Sequence, residues 1–215
     1  GPLTAILCYA ELALDDPLLP PSLTESMSSI KLAGHKVLEL IDMSVNLLQM
    51  ERGLYEAKRE PVDVLGVTRE LAGDYAAKHA RRQLTIAVTL DGRSASPEDT
   101  LVLPGERLLF YSALGNLVNN AAEASPENGT VHIALESRPA PTIRIRNLGE
   151  VPQAIRDRFF EKDVTSGKTH GTGLGTYSAR LFTEALGGQI ALDSSRSGET
   201  CVILRFPPAE GRVPA

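Results

Sequence analysis

Apolar residues recur at helical spacing through the first quarter of the chain. Leu3, Ile6, Leu7, Ala10 and Leu14 share one stripe of residues 3–16, which predicts a helix. The run DPLLPP, Asp16 to Pro21, stops it, because proline cannot continue a helix interior. Ser22, with Glu25 in the capping-box position, reads as the start of a second helix. Met27, Ile30, Val37, Ile41, Val45 and Leu48 then recur at threes, fours and sevens up to about Leu54. A helix of ~35 residues is about 50 Å long. Two helices alone do not bury stripes on both sides. The pattern predicts a hairpin that pairs with a second copy into a four-helix bundle; packing within one chain is the alternative.

The texture changes after the polar, proline-broken stretch from Ala57 to Asp63, which predicts a domain boundary. Residues 62–79 read as a helix. Residues 84–90, LTIAVTL, alternate as a strand, and TLVLP is a short strand. A helix is predicted from Glu106 to Ala124, two strands in GTVHIALES and PTIRIRN, a helix from Gly173 to Leu186, and two strands in GQIALDS and TCVILRFP. Strands and helices do not follow the regular rhythm of a parallel sheet. The predicted class is α+β: a helical hairpin over residues 1–58, an α/β sandwich with a mixed sheet over 59–208, and a tail over 209–215.

Composition removes several classes of function. The chain has 215 residues, 42% hydrophobic, and a formal net charge of -5, so nucleic-acid binding has no electrostatic support. No apolar run is long enough for a membrane span, and no signal peptide is visible. The two cysteines, Cys8 and Cys201, are far apart and lack metal-type spacing, so reduced thiols and a cytoplasmic location are expected, whether or not the parent protein is membrane-anchored. The opening Gly1-Pro2 reads equally as native sequence or as the residue of tag cleavage.

Three stretches carry candidate chemistry. In THGTGLGTYSARL, three glycines (Gly171, Gly173, Gly175) precede a helix, around Thr172 and Leu174. No strand precedes them and no Lys-Ser/Thr follows, so neither a dinucleotide fingerprint nor a Walker loop fits. Backbone N–H groups at a helix N-terminus remain as an anion site, with Lys168 as an added charge. In LGNLVNNAAEASPENG, Asn116 and Asn120 share a helix face, with Glu123 near it. Asn is unfavourable inside a helix, so three of them (with Asn119) call for a reason. Amide oxygens can ligate a hard cation such as magnesium; a solvated polar face is the alternative. In IRIRNLGEVP, a strand ends in Asn147 and Gly149 permits close backbone approach.

In this order the stretches resemble the ATP-binding domain of sensor histidine kinases, within the gyrase, Hsp90, histidine kinase and MutL superfamily. NLVNNAAEASP resembles the N box, NLGEVP the first glycine box, RFFEKDVTSGK the F box and lid, and GTGLG the second glycine box. PLTAILCYAELAL is similar to the segment after the phosphoacceptor histidine, and KREPVDV to the connection between the two domains. The resemblance implies ATP and Mg2+ as cofactors. Asn120 would ligate magnesium, with Asn116 on the phosphate side, and Asn147 and Gly149 would meet the adenine. Lys168, Gly171, Thr172, Gly173, Leu174 and Gly175 would line the phosphates, while Phe159 and Phe160 anchor the lid. It also implies a homodimer through residues 3–55 and a response-regulator receiver domain as partner.

The chain departs from the pattern in three places. Asn147 stands where the family usually has Asp, the first glycine box is shortened, and Glu123 replaces a common Lys. The hydrolytic branches carry Glu four residues before the magnesium Asn; here that position is Asn116, which takes no proton at neutral pH. The expectation is transfer to an external nucleophile, not hydrolysis. In the family that acceptor is the His of a His-x-x-x-x-Pro pattern. If Pro2 is its proline, the acceptor lies ahead of residue 1 and this fragment does not autophosphorylate. His35, His79, His132 and His170 do not match the pattern. The alternative is a nucleotide-binding dimeric partner-binding module without kinase activity.

Overall fold

The computed structural model describes residues 1–16, 19–164 and 173–208, and of residues 21, 35, 36, 39, 40, 42 and 43 the backbone alone. It divides into two compact units, Gly1–Tyr55 and Glu56–Ala215.

The first unit is a hairpin of α1 (Pro2–Leu14) and α2 (Pro21–Glu51). Leu7 and Ala10 bury themselves against α2, where Gly34 leaves room for Leu7: a Cβ there would lie 2.6 Å from Leu7 Cδ2. A Lys31–Glu11 ion pair of 3.0 Å crosses the hairpin at the surface. The expected capping box at Ser22 is not how α2 begins. The cap lies two residues earlier, at Pro20, and the helix starts at Pro21 with no side-chain cap bond. Proline at the first helical position has the right φ and lacks an N–H that would be unpaired there anyway. On α2, Ile30, Val37, Ile41, Val45 and Leu48 lie on one stripe and remain exposed.

The second unit is α+β. Its elements are β1 (Glu60–Asp63), α3 (Val64–Lys78), β2 (Thr85–Leu90), β3 (Arg93–Ser94), β4 (Val102–Gly105), α4 (Arg107–Ala124), β5 (Thr130–Glu136), β6 (Thr142–Leu148), a single turn α5 (Gln153–Arg156), α6 (Gly175–Ala185), β7 (Gln189–Asp193) and β8 (Glu199–Arg205). Six strands form a mixed sheet in the order β3-β2-β5-β6-β8-β7. The β2–β5 pair is parallel and the others antiparallel.

One face of the sheet carries Val131, Ile133, Leu135, Ile143, Ile145, Val202 and Leu204 against α3, α4 and α6. The opposite face is the more polar one, with His132 exposed and Arg144 bonded to Glu136 at 3.1 Å, although Ile203 of β8 is buried there. This is the period-two segregation of a half-buried sheet. Cys201 is buried on that polar face, where Arg146 lies beside it and burial pushes its thiol up.

The segment predicted to be helical from residue 62 begins differently. Residues 60–63 pair with β4 (Val62 with Leu103, Asp63 with Val102), and α3 starts only at Val64. The connection is pinned further: the Lys58 N–H donates to Glu106 at 2.7 Å, and Arg59 Nη1 to the Leu186 carbonyl at 3.4 Å. Residues 58–63 therefore hold the starting end of α4 and the finishing end of α6, the two helices that carry the site.

Candidate functional site

The N-box asparagines divide between two environments. Asn119 points toward α3: its Oδ1 accepts from Lys78 Nζ at 2.9 Å, and its Nδ2 donates to Glu123 at 2.7 Å. It is a bridge between helices, and it draws the exposed Glu123 carboxylate to the α3 side. Asn116 and Asn120, on a neighbouring line of the helix, are half-buried and make no side-chain hydrogen bond among the described residues. Leu117, Val118, Ala121 and Ala122 lie buried around the helix, so the asparagines interrupt an otherwise apolar surface.

Opposite them stands the start of α6. A Cβ built on Gly175 would lie 3.8 Å from Asn120 Nδ2, so the second glycine box faces the N box directly. The first turn of α6 carries no acidic residue and its N-cap makes no side-chain bond, so among the described residues no carboxylate of that turn offsets its positive end. Gly173 has φ +67, and a Cβ there would sit 2.8 Å from Asp163 Cα. The two ends of the lid segment thus meet at Asp163 and Gly173. The segment's first shoulder is held by side chains. Phe159 and Phe160 pack edge to face at 5.0 Å, and Lys162 Nζ lies 5.7 Å from the Tyr177 ring, which Arg180 also covers. Lys168, Gly171, Thr172 and His170 lie outside the described residues, as does the His35 side chain.

The third wall is the end of β6. Asn147 is 4% exposed and shares the helix-facing side with Ile143 and Ile145. Its Nδ2 donates to the Leu148 carbonyl at 3.0 Å. Gly149 takes φ +135, and a Cβ there would be 2.7 Å from the Ala124 carbonyl, so the turn presses against the end of α4. Three features of this neighbourhood were not apparent in the sequence. Thr200, buried and directly opposite Asn147, donates to the Gly149 carbonyl at 2.6 Å. Arg82 reaches the end of α4, donating to the carbonyls of Ala122 (3.0 Å) and Ser125. Lys78 holds Asn119. None of these has a periodicity or motif of its own.

A magnesium ion fits the donors present. Asn120 offers one hard amide oxygen, and among the described residues no group of three His, Cys, Asp or Glu side chains is placed to hold a metal. A cation here would take its other ligands from phosphate and water.

Residues 105–210 match the family model described as histidine kinase-, DNA gyrase B-, and HSP90-like ATPase. These residues belong to that family, and the unit that contains them is the ATP-binding catalytic domain of the sensor histidine kinase class. Sensor protein IrlS of Burkholderia pseudomallei is 25% identical over 213 residues, covering 96% of this chain and 44% of that protein. Sensor protein kinase PmrB of Pseudomonas aeruginosa is 26% identical over 215 residues, with 96% and 43% covered. The chain spans less than half the length of these relatives. The nucleotide-free catalytic domain of histidine kinase ThkA is similar at a TM-score of 0.59 and 25% identity, over 70% of this chain and 96% of that one. Full-length ShkA, solved with AMPPNP, is similar at a TM-score of 0.66 and 21% identity, over all of this chain and 44% of that one. Among the described residues, no helix is long and apolar enough to cross a membrane.

Proposed function

We propose that this chain is the core of a two-component sensor kinase: it binds Mg-ATP and passes the γ-phosphoryl group to a histidine, from which an aspartate of a response-regulator receiver domain receives it. The observation that carries the reading is the facing of Asn120 and Gly175, with Asn147 buried at the strand end whose turn presses on the end of the same helix α4. Asn147 and Gly149 take the base. Asn116 and Asn120 line the phosphate side, Asn120 as the metal's protein ligand, and the α6 amides with Gly173, Leu174 and Gly175 hold the phosphate oxygens. Lys168, Gly171 and Thr172 are further phosphate-binding candidates on the family resemblance alone. Glu123 marks the boundary of the phosphate side, with its charge drawn toward Asn119 and away from the phosphates. Magnesium supplies charge neutralisation between the phosphates.

Transfer is favoured over hydrolysis by Asn116. A general base in that position would activate water, and an amide does not. What remains is positioning and electrostatic stabilisation, which suffices for phosphoryl transfer to a good nucleophile. That nucleophile is the histidine that the family pattern places ahead of Pro2. The exposed stripe of α2 pairs with a second copy to form the homodimer. The neutral Asn147 supports a second reading, a dimeric nucleotide-binding module that engages a partner without transferring phosphate.

Calorimetric titration with ATP and magnesium tests the first step. Binding to the wild type, weakened at least tenfold (~1.4 kcal/mol) by Asn120→Ala, supports the site. A folded wild type that binds no nucleotide defeats it. Labelled phosphate from γ-labelled ATP, followed on a chain extended upstream to include the histidine, then separates kinase from module.

A further inference from the structure

Glu123 stands in the last turn of α4, at the negative end of the helix, where a carboxylate is disfavoured. A helical side chain lies over the turn before its own Cα. Glu123 therefore has two neighbours on α4: Asn119, four residues back, and Asn120, three back. The two directions differ in consequence. Toward Asn120, the carboxylate would stand beside the amide that faces Gly175 and the start of α6. Toward Asn119 it leaves that side, and this is the direction it takes, with Asn119 Nδ2 donating to Glu123 Oε1 at 2.7 Å.

Asn119 is itself held. Its Oδ1 accepts from Lys78 Nζ at 2.9 Å, so the ammonium decides which end of the amide turns to Glu123. With the acceptor end on Lys78, the donor end is the one left for the carboxylate. Lys78 is placed from a second side as well, its Nζ lying 5.2 Å from the centre of the Tyr75 ring. The helix that carries it is keyed to α4 along its length: Arg107 bonds to Glu70, and the Tyr111 hydroxyl donates to Asp74 at 3.2 Å. Glu70, Asp74 and Lys78, spaced by fours on α3, thus meet Arg107, Tyr111 and Asn119 on α4 in order.

We infer that Lys78 is a positioning residue for the triphosphate: through Asn119 it keeps the Glu123 carboxylate off the phosphate side and so raises the preference for ATP over AMP. Lys78 does this from α3, without touching the nucleotide. A carboxylate swung toward the site repels every phosphate, so the penalty grows with the number of phosphates, and the base and ribose do not feel it. The inference rests on the nucleotide reading of the site given above.

The test is displacement of a ribose-labelled fluorescent ADP from the full chain by ATP and by AMP, with magnesium at low ionic strength, the label's own affinity being measured for each variant. Lys78→Met keeps the aliphatic stem and removes the charged donor. It is expected to weaken ATP about threefold, the scale of one exposed charge pair, and to weaken AMP less. Lys78→Arg, which can still donate to Asn119, should restore ATP, and added salt should shrink the difference. Glu123→Gln removes the charge that Lys78 restrains, so in that background Lys78→Met should no longer lower the ATP-to-AMP ratio. A loss of the same size with and without the Glu123 carboxylate would show Lys78 acting by its own charge and overturns the inference. Unchanged or tighter ATP binding in Lys78→Met overturns it too, as does a loss shared equally by ATP and AMP, the mark of a merely structural role. A folded wild-type chain that never binds the labelled ADP ends the nucleotide reading itself, and the inference with it.

Discussion

Gly175 and Asn120 face each other across α6 and α4 at ordinary van der Waals distance, 3.8 Å from a Cβ built on the glycine to the amide nitrogen. Gly173, two residues earlier, has no such room. Its φ is +67, and its Cβ position falls 2.8 Å from both the Asp163 Cα and carbonyl carbon. The two glycines of one motif therefore do different work.

Their substitution separates these roles. Gly175→Ala should fold with near wild-type stability, since it adds a methyl group at a helix start where alanine is favoured. Any effect should appear in nucleotide affinity. Gly173→Ala should cost about 1–3 kcal/mol through strain and backbone overlap. Urea unfolding of both variants checks this; equal losses would show that the loop relaxes around Gly173.

Arg82 supplies what the last turn of α4 lacks. That turn has no basic residue, and the Arg82 guanidinium donates to its Ala122 and Ser125 carbonyls. Arg82→Ala should destabilise the chain by about 2 kcal/mol, the usual scale for charge-assisted bonds at a part-buried site. Arg82→Lys should recover only part of the loss, because an ammonium lacks the planar fork that spans two carbonyls. The midpoint of urea unfolding is the measure.

His79 makes stability depend on pH. Its ring stacks on Tyr75 at 6.4 Å between centroids, and Nε2 is buried without a hydrogen-bond partner among the described residues. Burial, with Lys78 and Arg82 nearby, lowers its pKa below the ordinary value. The unfolded chain then binds more protons than the folded chain as pH falls through about 6.5, so stability falls with it. The expected result is a Tm that drops from pH 7.5 to pH 5.5, with a shallower drop in His79→Phe. Parallel curves for the two proteins in calorimetry would assign the dependence to other groups.

The α2 stripe predicts the oligomeric state. Ile41 is 50% exposed and Val45 49%, in line with Ile30, Val37 and Leu48. Light scattering should give twice the chain mass of 23.1 kDa for the wild type, and a monomer for the double substitution Ile41→Glu with Val45→Glu. A monomeric wild type at micromolar concentration would remove the homodimer from the proposed function.

The sequence by itself determined most of the elements. Helical stripes and strand alternation are local properties, so α1 and α4 and the strands β2, β5, β6, β7 and β8 could be read from spacing within a residue or two of their ends, and α2 to within three. The boxes also appeared in order, because each needs particular residue types at fixed short intervals. Tertiary structure decided the rest. Glu60–Asp63 has no alternation to announce a strand; it becomes β1 because β4, forty residues on, offers it hydrogen bonds. Spacing puts Asn116 and Asn120 on one helix face, but only the tertiary structure shows what Asn119 does, through Lys78 on α3. Thr200 gains its place from the register of β8 against β6. In each case the partner is distant in the chain, and a hydrogen bond made across such a distance leaves no local pattern.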